Sequence, residues 1–308
     1  MGLLALSPRR LDQFSFQLIS KLFQTYRRTL QIEVCSRTTQ KIGSLLMNIK
    51  GKTALITGAS RGIGRAIAYE LAKNGIRRLI LVARSAHQLY QIAEDIRYLN
   101  VEAIPIPLDL TVSRDVSVVM AKVWRDHGDI DLLVNCAGVA YQKPFLKSRS
   151  SQVQAEMSLN MMGMYTVTSA IARRMVSRRS GTIVNVSSLM GKVAAPTMAT
   201  YSATKFAIVG FTRALRMELA PHNVKVMTLL PSLTDTDMAK DLEKFRGVIP
   251  MSAEQVAKAL ARGLSKDSSE ILVGWQSHLA VWCDRVSPWL LEWVLRLSAP
   301  RQVLGSSA

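Results

Sequence analysis

From Thr53 onward, short apolar runs alternate with segments of helical periodicity, and this alternation restricts the chain's possible folds more than any other feature. The runs are Thr53–Thr57 (TALIT), Leu79–Ala83 (LILVA), Ala103–Leu108, Ile130–Asn135, Thr182–Ser187 and Val224–Leu230. Helix-period segments lie between them, through Asn74 and near 86–99, 114–126, 151–179 and 199–219. Runs apolar at consecutive positions suit strands covered on both faces, and each connection is long enough for a crossover helix. The expected fold class is α/β: a single doubly wound parallel sheet over residues 47–274, with no internal repeat or low-complexity linker.

Composition removes several alternatives. With 308 residues, 48% hydrophobic and 20% charged, the chain can bury a sizeable core and is neither disordered nor collagenous. Cys35, Cys136 and Cys283 are odd in number, far apart and without a CxxC pair. That excludes a disulfide framework and a zinc ribbon, no metal site is expected, and a reducing, cytoplasmic setting fits. The net charge of +18 suits nucleic acid, an anionic membrane surface or phosphate-bearing ligands. No RNP-like, KH-like or zinc-finger pattern accompanies it, so no nucleic-acid partner is expected.

The two ends read differently from the middle. Residues 1–46 form a basic extension, and eight Lys/Arg stand against Asp12 and Glu33 in the first fifty residues. Phe14, Leu18, Ile19, Leu22, Phe23, Tyr26 and Leu30 recur at near-helical spacing. A surface-lying amphipathic helix, a transit-like segment, a disordered arm, or an early start with Met47 as the true one all fit. At the other end, residues 275–308 form a predicted amphipathic helix and tail. There Trp275, Leu279, Trp282, Val286, Trp289, Trp293 and Leu297 recur at three- and four-residue steps. Asp284, Arg285, Pro288 and Glu292 keep this segment from crossing a bilayer.

The first run leads into Thr57-Gly58-Ala59-Ser60-Arg61-Gly62-Ile63-Gly64. Glycines at a strand-to-helix turn let backbone approach a pyrophosphate, and the helix N-terminus adds partial positive charge. The spacing is GxxxGxG rather than GxGxxG, and Gly51-Lys52-Thr53 precedes a strand, so it is no P-loop. The second run ends at Ala83-Arg84-Ser85. An acidic residue there would suit the ribose hydroxyl of NAD, whereas Arg84, with Arg61, suits a 2′-phosphate and so NADP(H). Both arginines also fit a merely solvated surface. Asn135-Cys136-Ala137-Gly138 ends a strand with small residues that let a ligand pass close to the backbone. Asp109 suits either an adenine amine or a cap on the helix near Thr111, and taken alone the cap is the simpler reading.

Two YxxxK tetrads occur, Tyr69–Lys73 and Tyr201–Lys205. On a helix, the first and last residues of each share a face. Only the second follows a strand ending in Ser187-Ser188. A cation beside Tyr201 is expected to lower its pKa from about 10 and make it a proton donor near neutrality. Ser188 is placed to hydrogen-bond the reacting oxygen. The first tetrad has no polar partner at a matching offset.

Taken together, TGASRGIG at 57–64, Asp109, NCAG at 135–138, Asn160, Ser188, Tyr201 and Lys205 resemble the short-chain dehydrogenase/reductase family, over about residues 50–274. The resemblance implies a Rossmann-type sheet and hydride transfer between nicotinamide and a carbonyl or alcohol carbon. It implies that Ser188 positions the substrate oxygen and Tyr201 exchanges its proton. Lys205 would also bind the nicotinamide ribose, and Asn160 would order a relay water. Cofactor contacts are expected from Gly58, Ser60, Arg61, Gly62, Ile63, Gly64, Arg84, Asp109, Asn135, Ala137, Gly138, Tyr201, Lys205, Pro231 and Thr236. Two departures stand out: Cys136 replaces the second asparagine of the usual pair, and Ser232 replaces the glycine after Pro231.

The segment 233–250, which the resemblance implies forms part of the substrate pocket, carries Met238, Lys240 and Phe245 without a charge cluster that would select a small ionic substrate. Ile271-Leu272-Val273-Gly274 then runs into the Trp-rich segment, which resembles members acting on long-chain keto lipids, steroids or retinoids. A small hydrophobic ketone or aldehyde is the expected substrate, with a homo-oligomeric enzyme. The Trp stripe over 275–297 is expected either to rest on a membrane or roof the pocket, or to pack on the domain or a second subunit. A 3-oxoacyl thioester reductase, or a catalytically silent NADP-binding scaffold or redox sensor, is the alternative.

Overall fold

The computed structural model describes residues 48–266 and 268–300 of the 308-residue chain. The basic extension over 1–46 lies outside the described residues, as does the tail over 301–308. The sheet is built from β1 (Thr53–Thr57), β2 (Arg78–Ala83), β3 (Glu102–Pro107), β4 (Leu132–Asn135), β5 (Gly181–Val186), β6 (Val224–Leu230) and β9 (Glu270–Leu272). Its order is β3-β2-β1-β4-β5-β6-β9, and every pairing is parallel. A small separate pair joins β7 (Thr234–Asp235) to β8 (Met251–Ser252). The connections supply α1 (Gly62–Lys73), α2 (Ala86–Arg97), α3 (Ser113–His127), α4 (Ser150–Glu156), α5 (Met164–Ser177), α6 (Ala199–Leu219), α7 (Asp237–Lys240) and α8 (Ala253–Ser265).

The two-residue period of a strand divides the core into two layers. Ala54 and Ile56 of β1 face Ile67 and Leu71 of α1, Leu89 of α2 and Leu260 of α8. Leu55, between them, faces the layer that holds Met120 of α3 and Ile171 of α5. All of these side chains are buried, which stabilises the fold by about 1.5–3 kcal/mol for each large aliphatic one.

Three elements differ from the sequence expectation. The predicted helix over 151–179 is split into α4, a π-helical turn at Met157–Gly163, and α5. The edge strand β9 is three residues long, too short to show a period, and α8 precedes it. That helix does carry a readable signal, a capping box in which Ser252 accepts from the Gln255 N–H and Gln255 reaches back to the Ser252 N–H. The Trp-rich segment is two helices, α9 (Trp275–Val286) and α10 (Pro288–Ser298). Pro288 disfavours helical geometry at Ser287 and serves as the first residue of α10, so one continuous stripe becomes two.

β1 pairs with β2 on one side and β4 on the other. Chain order reverses there, and a crevice opens beyond the carboxyl ends of the strands.

Candidate active site

The crevice begins at the turn from β1 into α1. Gly58 has φ +68°, and a Cβ on it would lie 2.8 Å from Ala137 Cα; a Cβ on Gly64 would lie 2.3 Å from the Gly58 carbonyl oxygen. Larger residues would force the turn off β4 or off α1. The Thr57 hydroxyl accepts from the Cys136 N–H (3.0 Å) and the Ala137 N–H (3.2 Å), tying the two strand ends together. No side chain caps α1, so its first amides stay available to an anion.

This turn opens into a cavity of about 800 Å³. Gly58, Ser60, Arg61, Gly62, Ile63, Gly64, Arg84, Ala137, Gly138, Ser188, Tyr201, Lys205, Pro231 and Thr236 all line it, so fourteen positions scattered over the sequence share one space. Arg61 and Arg84 are exposed at its rim. Three predicted residues do not line it. Asp109 accepts from the Thr111 N–H (2.9 Å) and hydroxyl (2.8 Å). These bonds, backbone first, hold its carboxyl below the usual range, with a smaller pull from Arg84. Asn135 turns into the sheet, where its amide donates to the Thr168 hydroxyl and to Asn185 Oδ1, both at 2.8 Å. Asn160, in the π-helical turn, accepts from the Val139 N–H and donates to the Val139 carbonyl, both at 2.9 Å.

Tyr201 and Lys205 lie one turn apart on α6, and both are buried. The Lys205 ammonium sits 5.5 Å from the centroid of the Tyr201 ring and donates to the Val186 carbonyl at 3.2 Å. Ser188 accepts from the Met190 N–H at 3.1 Å, which orients its hydroxyl at the end of β5. The expected lowering of the Tyr201 pKa by Lys205 is not what the chain alone shows. Burial pushes Tyr201 up to about 12, a hydrogen bond with Ser188 pulls it down, and the charges of Glu156 and Cys136 raise it further. Lys205 is itself pushed down to about 8 by burial. Desolvation is the largest cause at both groups, and no pull from the amine, 5.5 Å from the ring centroid, offsets it.

A family model described as short chain dehydrogenase matches residues 52–247. The chain belongs to the short-chain dehydrogenase family. A 3-oxoacyl-(acyl-carrier-protein) reductase FabG of Aquifex aeolicus is 34% identical over 225 residues, which cover 70% of this chain and 90% of that protein. The corresponding Escherichia coli protein is 29% identical over 242 residues, 76% of this chain and 97% of its own. A crystal structure of a Burkholderia cenocepacia short chain dehydrogenase in complex with NADP superposes with a TM-score of 0.71 at 28% identity, covering 82% of this chain and all of the other.

In this short-chain dehydrogenase two site features escaped the sequence reading. Glu156, buried at the end of α4, accepts from the Tyr141 N–H at 2.7 Å. Thr204 bridges Asn160 to the turn of Tyr201, accepting from the Asn160 amide (3.2 Å) and donating to the Tyr201 carbonyl (2.8 Å). The four-residue step from Glu156 to Asn160 was the available signal for the first.

Proposed function

We propose that this oxidoreductase uses NADP(H) to reduce a hydrophobic ketone or aldehyde, of long-chain keto-lipid, steroid or retinoid type. The observation that carries the reading is a single cavity lined by both basic and apolar side chains. Arg61 and Arg84 line it and no carboxylate directly follows β2, which suits a 2′-phosphate better than a free ribose hydroxyl. Val193, Met198, Met238, Phe245 and Leu295 give the remainder apolar walls. The glycine turn, whose missing Cβ atoms leave room for a backbone-to-pyrophosphate approach, fits the same dinucleotide.

Bound NADPH supplies the hydride. In this proposal the Ser188 hydroxyl donates to the carbonyl oxygen and fixes its position. Tyr201 gives its proton to that oxygen as negative charge develops there. Lys205 would hold the ribose and keep positive charge beneath the phenol, while Asn160, its amide committed to Val139 and Thr204, would hold the backbone after β4 that lines the cavity. Oxidation of an alcohol runs the same transfers backwards.

A second reading, reduction of a 3-oxoacyl thioester, is favoured by the FabG relatives. The two separate in one assay that follows NADPH absorbance with long-chain ketones, aldehydes and 3-oxoacyl thioesters. The first reading expects kcat/KM to rise with the apolar size of a simple carbonyl. Turnover confined to thioesters replaces it with the second. NADPH bound without turnover of any carbonyl would leave the silent scaffold.

The reading extends to the C-terminal helices. Ala280 and Leu295 line the cavity, while Trp289, Trp293 and Leu297 are exposed on the other face of α10. We infer a cytoplasmic homo-oligomer whose α10 rests on a membrane surface. Among the described residues no helix is long and apolar enough to cross a membrane. Liposome flotation with and without residues 275–308 tests the contact; equal binding by both forms removes it. Light scattering checks the oligomer.

A further inference from the structure

The segment after β4 is held like a strand with no strand beside it. Its alternate N–H groups all point one way: Val139 donates to Asn160, Tyr141 to Glu156 and Lys143 to the Thr197 carbonyl, at 2.9, 2.7 and 2.9 Å. Gly138, Val139, Ala140 and Gln142 line the large cavity. Tyr141 and Lys143 face away, into a separate space of about 10 Å³ that Glu156 and Thr197 also line. The three donors are two residues apart, the period of extended chain, and a Cβ on Gly138 would lie 3.7 Å from Lys205 Nζ. Two side chains of one helical face, four residues apart, therefore supply what a neighbouring strand would supply, and one of the two is a carboxylate.

A carboxylate is an expensive choice for that task. Glu156 is 2% exposed, and a neutral side chain could accept the same hydrogen bond. What a neutral group would lack is charge. Lys205 draws the Glu156 pKa down against the burial that raises it, and Glu156 in turn raises both Lys205 and Tyr201. The titratable groups around this carboxylate are Tyr201 and Lys205 from α6 and Tyr141 and Lys143 from the splinted segment, while Cys136, just after β4, acts on the same tyrosine and lysine.

We propose that Glu156 is a positioning residue that splints segment 139–143 as the cavity wall and supplies a negative charge to the Lys205–Tyr201 pair. The proposal rests on the function proposed above. It assigns the buried carboxylate two separable effects, one carried by its oxygen and one by its charge.

Glu156→Gln keeps an acceptor oxygen and removes the charge. NADPH affinity measured by fluorescence against pH reads the protonation of Lys205 without turnover. The expected result is an alkaline loss of affinity that begins at least about half a pH unit lower than in the parent chain. The kcat/KM profile for a carbonyl should shift the same way, with affinity at pH 6 little changed. Glu156→Asp, which keeps the charge, should restore the parental profile. Identical profiles for all three chains overturn the charge role.

The splint is tested in the unaltered chain, so folding of a variant is not at issue. The Tyr141 amide should exchange with deuterium at least about tenfold more slowly than that of Gln142; equal rates overturn it. A parent chain that binds NADPH but turns over no carbonyl defeats the proposed function while leaving both measurements of Glu156 to be scored.

Discussion

The chain carries the same tetrad on two helices, and the structure surrounds them differently. Tyr69 of α1 donates to the Asp95 carboxylate at 2.6 Å, and Lys73 is exposed. Tyr201 of α6 points into the cavity with Ser188, and Lys205 is buried behind it. Both phenols are pushed up to about 12, first by burial in each case; at Tyr69 the added cause is Asp95, whereas at Tyr201 a hydrogen bond with Ser188 acts in the opposite direction. A high pKa thus marks a fixed proton in one place and a proton beside a donor-acceptor chain in the other. What separates site from scaffold is where the helix is docked, not the helix itself.

The largest test of that contrast is removal of each hydroxyl. Tyr201→Phe should lower kcat for NADPH-dependent carbonyl reduction by about 10²–10⁴-fold, while Tyr69→Phe should change it less than about twofold. Comparable losses in both would dissolve the distinction.

Replacing the amines comes next. Lys205→Met should abolish turnover yet raise stability at pH 7 by about 1–3 kcal/mol, because it removes a buried cation. Lys73→Met, at an exposed position, should do neither. The pH dependence sharpens this. With Lys205 pushed down to about 8 in the folded chain from the ordinary 10.5, the unfolded chain holds more protons between those values. Its contribution therefore destabilises fully below pH 8 and fades as pH rises to 10.5. Urea midpoints across that window should show a rise in the parent that Lys205→Met lacks.

Arg84→Asp should turn cofactor preference from NADPH toward NADH by about 10–100-fold in kcat/KM, with either tetrad untouched. The smallest effect belongs to the first tetrad: Tyr69→Phe should cost about 1 kcal/mol of stability, read as a lowered Tm, since Asp95 is exposed and keeps water.

Much of this contrast was legible before any coordinates. TGASRGIG announces itself because Gly58 and Gly64 occupy places where a Cβ would strike backbone. Ser188, Tyr201 and Lys205 were readable because a strand end and a helical repeat have fixed geometry. Asn135 was misplaced by the same logic: it sits in the right run of residues, but alternation along β4 aims its side chain at Thr168 and Asn185. Pro288 was in view, yet the Trp stripe overshadowed the break it imposes. Glu156 gave only an i, i+4 step to Asn160, which many exposed helices also show.

Local sequence, then, determined the strands, the glycine turn, the family and the candidate reacting groups, since each depends on neighbours within a few residues or on one repeat. Only the tertiary structure decided which tetrad faces a cavity, that Lys205 lies against the ring of Tyr201, and that a carboxylate from α4 reaches the wall formed after β4. Those depend on how far charges are removed from water and on which distant segments meet. Desolvation and long-range contact are properties of the packed chain, and no stretch of residues carries them alone.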